Sequence, residues 1–172
     1  MIKYKKSEVK DFLYESNAIE CEYSEQSYED ALKAWNYLKD KSFLTPEVIL
    51  GAHNFLMKNL RPDIAGFWRN CNVWIGGHKK KFISTQLIED EVKQLFDAIN
   101  LSISTLPSNA TKEYKEETCK QHHIQYEDVH PHQDGNGRTG RLIYLWERMQ
   151  LGLPIHIIHA GDEQFSYYSW FK

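Results

Sequence analysis

Cysteine, proline, membrane-like apolar runs and excess positive charge are all scarce in this 172-residue chain. Cys21, Cys71 and Cys119 are an odd number without repeated spacing, which excludes a disulfide framework and a structural zinc site. Reduced thiols and a cytoplasmic location are expected. No stretch approaches the roughly 20 apolar residues of a membrane span, and charges interrupt residues 1–20 too often for a signal segment. Lys and Arg number 21 against 24 Asp and Glu, a formal net charge of −3. That balance argues against nucleic acid or an anionic membrane as partner. The one basic run, Lys79, Lys80 and Lys81, reads as a solvated loop. There is no internal repeat, low-complexity tract or Pro/Ser-rich linker, so residues 1–172 are read as a single domain. What the chain does have is core material: 41% of it is hydrophobic and 13% aromatic. A domain of about 150 residues buries roughly 70% of its unfolded surface, so one core is attainable.

Helical spacing dominates. Val9, Phe12, Leu13 and Ile19 predict a short amphipathic helix, and Tyr28, Ala31, Leu32, Trp35 and Leu38 a second, with Ser27 and Asp30 read as its capping-box start. Thr45 and Pro46 read as N-cap and first position of a third, with Ile49, Ala52, His53, Leu56, Met57 and Leu60 as its buried stripe. His53 is expected to be a hydrogen-bonded core residue. The period then changes: Cys71, Val73 and Ile75 alternate with Asn72 and Trp74, and Gly76-Gly77 precede Phe82 and Ile83, predicting one small β-hairpin. Leu87, Ile88, Leu95, Phe96 and Ile99 restore the helix, and Pro107, Ser108 and Asn109 mark a loop. Cys119, His123, Tyr126 and Val129 give a helix running into a Pro/Gly-rich turn. Leu142, Ile143, Leu145, Trp146 and Met149 form the next, stopped by Gly152 and Pro154. The predicted fold is an all-α helical bundle with one small β-hairpin flap.

That turn, His130-Pro131-His132-Gln133-Asp134-Gly135-Asn136-Gly137-Arg138-Thr139-Gly140-Arg141, carries the chemistry. Gly135 and Gly137 permit close backbone approach at a helix start, where free N–H groups and the dipole favour an anion. Arg138 and Arg141, three apart, can address one neighbourhood with bidentate forks. A single carboxylate beside phosphates, Asp134, is the usual way Mg²⁺ is held. His130, with an ordinary pKa of about 6.5, suits proton removal from an attacking hydroxyl. Together these groups suffice for phosphoryl or nucleotidyl transfer. Three other readings compete. Gly135-x-Gly137-x-x-Gly140 matches a dinucleotide fingerprint, with Asp162 in place for its acidic residue, but Glu127 to Asp134 cannot form the required buried strand. His122, His123, His130 and His132 are dense enough for a metal site, which has no use for two Arg and a Gly-rich helix start. A purely structural turn likewise needs no inward-facing Arg.

The segment resembles the signature of the Fic family of nucleotidyltransferases, His-Pro-Phe-x-Asp/Glu-Gly-Asn-Gly-Arg-x-x-Arg, matched from His130 to Arg141 except that His132 stands in place of Phe. His123, Tyr126 and Val129 fit family positions upstream, and Gly66, Arg69, Val73, Ile75, Gly76 and Gly77 resemble the family's flap. The resemblance implies a Fic-type bundle that transfers AMP from ATP, with Mg²⁺, to a Tyr, Thr or Ser hydroxyl of a target protein. By carry-over His130 is the base, Asp134 holds Mg²⁺, Gly135, Asn136 and Gly137 hold the α- and β-phosphates, Arg138 assists and Arg141 takes the γ-phosphate. Val73, Trp74, Ile75, Gly76 and Gly77 would align the target segment as an added strand. Ser16-Asn17-Ala18-Ile19-Glu20 resembles the family's inhibitory motif, on an N-terminal helix at about 7–21, with Cys21 where the family has Gly or Asn. Glu20 would then pair with Arg141 and remove the cation the γ-phosphate needs. Alternatives within the fold are another nucleotide donor or AMP removal; from another class, a nucleotide-sensing or toxin-like module with little turnover. A homo-oligomer that held the N-terminal helix would be a regulator.

Overall fold

A computed structural model of the protein describes residues 2–73, 82–107 and 109–171. The described residues form seven α-helices: α1 (Lys6–Ile19), α2 (Glu25–Leu38), α3 (Pro46–Met57), α4 (Ile88–Thr105), α5 (Lys112–Val129), α6 (Asn136–Gln150) and α7 (Gln164–Tyr168). Among them there is no strand, and residues 74–81 of the predicted hairpin, Trp74, Ile75, Gly76 and Gly77 included, lie outside the described residues. Val73 is described and has no regular structure.

Local chemistry sets the helix starts. Thr45 accepts the Val48 amide with Pro46 at the first helical position, as its sequence predicts. Thr111 does the same for α5 through the Tyr114 amide. The start of α2 lies three residues earlier than expected: Ser24, not Ser27, is the N-cap, and Ser27 donates its own amide to the Ser24 hydroxyl. Both serines are three residues before a carboxylate or hydroxyl, and only burial of Ser27 and Asp30 distinguishes them.

The bundle is organised around α6, every residue of which from Arg138 to Met149 is buried. It is touched by α1, α2, α3, α4 and α5. A helix enclosed on all sides ordinarily reads as apolar throughout. This one instead encloses charge: Arg148 reaches Glu116 at 3.0 Å and the Pro154 carbonyl, while Glu147 meets His122 at 2.7 Å. Its apolar residues Leu142, Ile143, Leu145, Trp146 and Met149 join Phe12, Leu13, Trp35, Ile49 and Phe96 in the main core. The short α7 closes a second cluster, packing Tyr167 with Ile19 and Ile158. All three cysteines are free thiols. No described helix is long and apolar enough to cross a membrane.

Candidate active site

The α5–α6 turn is held by an unusual backbone conformation at each end. His130 ends α5 in the left-handed region, φ 48°, and Gly135 opens α6 at φ 78°. Such a φ is strained for a residue other than glycine, and surrounding bonds must enforce it. At His130 they come from Arg69, which is buried and donates Nε to the His130 carbonyl at 2.7 Å and a terminal nitrogen to Ile83 O at 2.8 Å. The Arg69 amide adds a bond to Pro131 O at 2.9 Å. A cation there also faces the negative dipole end of α5. The His130 ring stacks on Phe82, centroids 4.6 Å apart, and its Nδ1 lies 3.7 Å from the Glu127 carboxylate one turn back.

The middle of the turn is clamped to its own helix and to α3. Asn136 and His132 exchange bonds, His132 N–H to Asn136 Oδ1 and Asn136 Nδ2 to His132 O, both 2.8 Å. His132, which replaces a family Phe, keeps an aromatic's place: it is fully buried and stacks on His53 with centroids 3.7 Å apart. Its Nδ1 donates to Phe67 O at 2.9 Å, since a carbonyl only accepts. Nε2 is left without a hydrogen bond, and burial pushes the imidazole pKa well below its ordinary value. His53 is the hydrogen-bonded core residue its position predicts. Its Nδ1 accepts the Gly66 amide, so Nε2 carries the proton and donates to Asp134 O, each at 3.0 Å. Desolvation lowers its pKa to about 4. The Asp134 side chain is exposed, with Oδ1 accepting the Gly135 amide at 2.6 Å.

Beyond the turn, no side chain caps the N-terminus of α6. Its first two turns carry two buried guanidiniums, Arg138 and Arg141. Arg138 is 5% exposed; among the described residues it reaches only the Met57 sulfur, at 3.3 Å, and its Nε has no hydrogen-bond partner. Burial lowers its pKa, opposed by the field of Glu20 and Asp134. The glycines allow close approach here: a Cβ at Gly135 would meet the Met57 sulfur at 2.7 Å, and one at Gly137 would run into Glu20 Oε1 and lie 3.0 Å from Arg141.

Arg141 is 1% exposed and fully engaged. It donates to Ser16 Oγ at 2.9 Å, Ser16 O at 2.8 Å, Glu20 Oε1 at 2.8 Å and the Tyr167 hydroxyl at 3.3 Å. Burial opposes its charge, but Tyr167 and Glu20 outweigh burial and raise its pKa above the ordinary value. Cys21, directly after Glu20, has φ 58°, the conformation that Gly or Asn adopts at least cost. The structure thus brings together His130, Asp134, Gly135, Asn136, Gly137, Arg138, Arg141, Ser16 and Glu20, from helices α1, α5 and α6. Of the five flap residues only Val73 is described. Sequence reasoning misses the structural roles of Arg69 and Tyr167: Arg69 reads only as a flap residue, and Tyr167 lies in a C-terminal stretch with no helical pattern to flag it. His53 reads correctly as a hydrogen-bonded core residue, but its partner Asp134 O is not legible from spacing.

As to the residues a metal or phosphate would need, Asp134 offers one exposed carboxylate beside the uncapped α6 N-terminus. Among the described residues no cluster of three or more His, Cys, Asp or Glu forms a protein cage for a metal. One carboxylate plus substrate oxygens and water is the donor set that suits Mg²⁺. The Arg138 Nε, without a partner among the described residues, and the place beside Gly137 and Arg141 that the Glu20 carboxylate fills suit phosphate.

Comparison with known proteins identifies the family and the fold. The model of the Fic/DOC family matches residues 43–147. A curated relative, protein adenylyltransferase fic-1 of Caenorhabditis elegans, is 27% identical over 135 residues, which is 76% of this chain and 24% of the relative. The chain therefore spans about a quarter of the length of that relative. Among solved structures, a Fic domain containing signaling protein from Bacteroides thetaiotaomicron superposes with a TM-score of 0.77 at 19% identity, over 95% of this chain and 70% of that one. Fic-1 from C. elegans gives 0.76 at 20% identity, over 97% and 58%. At these identities the structural likeness speaks to the fold.

Proposed function

Because the chain belongs to the Fic/DOC family, we propose that it is a self-inhibited protein adenylyltransferase, moving AMP from ATP to a Tyr, Thr or Ser hydroxyl of a target protein. The observation that carries the reading is the pairing of an uncapped α6 N-terminus with Arg138, a buried guanidinium whose Nε has no partner among the described residues. A buried cation and free amides at one place are costly for stability alone and well matched to a polyphosphate. In the reaction the target oxygen forms a bond to the α-phosphorus and the bond to the β-phosphate bridging oxygen breaks, releasing pyrophosphate. His130 accepts the hydroxyl proton. Its left-handed backbone is held by Arg69, its ring stacks on Phe82, and the Glu127 carboxylate lies 3.7 Å from Nδ1, where it would face the imidazolium that results. Asp134 would hold Mg²⁺, which supplies charge neutralisation of the phosphates. The α6 amides and Arg138 stabilise charge on the phosphate chain, and Arg141 addresses the terminal phosphate.

Glu20 supports the regulatory half of the reading. It occupies Arg141 at 2.8 Å and adds negative charge beside Arg138, so it competes with a terminal phosphate for both. The Glu20 side chain is 36% exposed, which leaves it displaceable. The test is labelled ATP with lysate, read by mass spectrometry, for the parent, Glu20→Gly and Glu20→Gly/His130→Ala. Expected is labelling of protein hydroxyls that rises in Glu20→Gly and vanishes in the double variant while ATP still binds. Equal labelling by parent and Glu20→Gly removes the brake; labelling that survives His130→Ala removes the base. Labelling from UTP but not ATP, or loss of AMP from a pre-modified target, would replace adenylyl transfer with another use of the same site.

A further inference from the structure

Arg141 is fixed by more than its carboxylate. Three of its four bonds go to Ser16 Oγ, Ser16 O and the Tyr167 hydroxyl, none of which is made by the Glu20 carboxylate. A guanidinium only donates, so the Tyr167 oxygen is an acceptor towards Arg141 and the phenolic proton remains to be placed. The partner available to it is His123 Nε2, 2.9 Å away. His123 then carries its own proton on Nδ1 and is neutral, in keeping with burial that lowers its pKa to about 3. Tyr167 is 3% exposed, and the Arg141 guanidinium carbon lies 5.7 Å from its ring centroid. Gly140 leaves the room for this arrangement, since a Cβ there would come within 3.0 Å of His123 Cε1. The chain Arg141 to Tyr167 to His123 links α6, α7 and α5, and uses a histidine that the transfer reaction does not.

The consequence concerns what happens when the brake lets go. An arginine held by Glu20 alone would swing free on release and have to be ordered again by the nucleotide, at a cost in rotamer entropy. Held also by Ser16 and Tyr167, it stays put with the donor that Glu20 used now facing the site. We propose that Tyr167, oriented by His123, is a positioning residue that presets the Arg141 guanidinium for a terminal phosphate and so sets the site's preference for a nucleoside triphosphate over the diphosphate. This rests on the α5–α6 turn being the nucleotide site.

The test is calorimetric titration of ATP and of ADP, each with Mg²⁺, into Glu20→Gly, Glu20→Gly/Tyr167→Phe and Glu20→Gly/His123→Phe. Glu20→Gly is expected to prefer ATP. Tyr167→Phe, which keeps the ring and removes the hydroxyl, should narrow the ATP-to-ADP affinity ratio about ten- to a hundredfold, the size of one lost bond to a charged group. His123→Phe should narrow it in the same direction by less. Unchanged ADP affinity in both shows that the site remains folded. If Glu20→Gly binds ATP no better than ADP, the assignment of Arg141 to the terminal phosphate fails, and the inference with it. If Glu20→Gly prefers ATP and Tyr167→Phe leaves the ratio unchanged, or weakens both nucleotides equally, the site stands and the positioning role is overturned.

Discussion

Replacing Arg69 with Met tests whether the catalytic turn is held from behind. Arg69 is 3% exposed and donates to His130 O at 2.7 Å, Ile83 O at 2.8 Å and Cys71 O at 3.2 Å. Met keeps an unbranched apolar stem, though a shorter one, and removes every donor. A hydrogen bond to a charged group contributes about 1.5–3 kcal/mol, so the two short bonds set the scale. Against this, burial already lowers the Arg69 pKa, and removing a buried cation relieves its desolvation. The net loss worked from these terms is about 2–4 kcal/mol. At about 2–4 °C per kcal/mol for a chain of this size, melting should fall by roughly 5–15 °C. His130 holds a left-handed φ of 48°, and without its clamp that strain of about 1–2 kcal/mol is released by moving the imidazole. In the Glu20→Gly background, transfer should therefore fall further than ATP affinity. Arg69→Lys, a point charge without a fork, should lie between the two. Thermal denaturation by circular dichroism and labelling with ATP read both effects. A variant melting within about 2 °C of the parent, or one that transfers at the full rate, would refute the clamp.

The buried histidines give a pH dependence of defined sign. Burial lowers the pKa of His53 to about 4 and that of His132 well below normal, whereas the unfolded chain titrates near 6.5. Their contribution is complete above pH about 6.5 and is lost as pH falls towards 4, because only the unfolded state takes up the protons, at about 3 kcal/mol for His53. Urea unfolding from pH 7 to 4.5 should show a shallower loss for His132→Phe than for the parent; identical slopes would mean His132 already titrates normally in the fold. Cys21→Gly should raise melting by about 2–4 °C, since glycine carries φ 58° at about 1 kcal/mol less than a residue with a Cβ; a lower melting point would show that the thiol packs usefully there. Gly135→Ala places a Cβ 2.7 Å from the Met57 sulfur at φ 78° and should cost about 2–4 kcal/mol in urea unfolding together with ATP binding. Parental stability in that variant would mean that the turn adjusts freely.

The bundle was legible because its helices announce themselves by spacing: Val9, Phe12 and Leu13, or Leu142, Leu145, Trp146 and Met149, repeat at the period of a helix and are buried as that period requires. Thr45-Pro46 was legible as a start for the same local reason. The start of α2 was not, since Ser24 and Ser27 carry equivalent capping chemistry and only the packing of Ser27 chooses between them. Charge inside α6 does not disturb its helical spacing, yet pattern alone gives no sign that α6 is enclosed on every side, because charged residues such as Glu147 and Arg148 are ordinarily solvated, and only the fold sets His122, Glu116 and Pro154 around them.

For the site, chemistry that lies within twelve consecutive residues could be read directly: the helix start between Asp134 and Gly137 and the two arginines after it are neighbours in the chain, and the backbone alone puts them in one place. What depended on distant segments needed the fold. Arg69 behind His130, His53 under Asp134, and Tyr167 with His123 against Arg141 are separated by 61, 81, 26 and 44 residues along the chain. Periodicity reports which face of an element is buried; it does not report which buried polar group meets which. That pairing is decided where helices cross, by the need of every enclosed donor to find an acceptor.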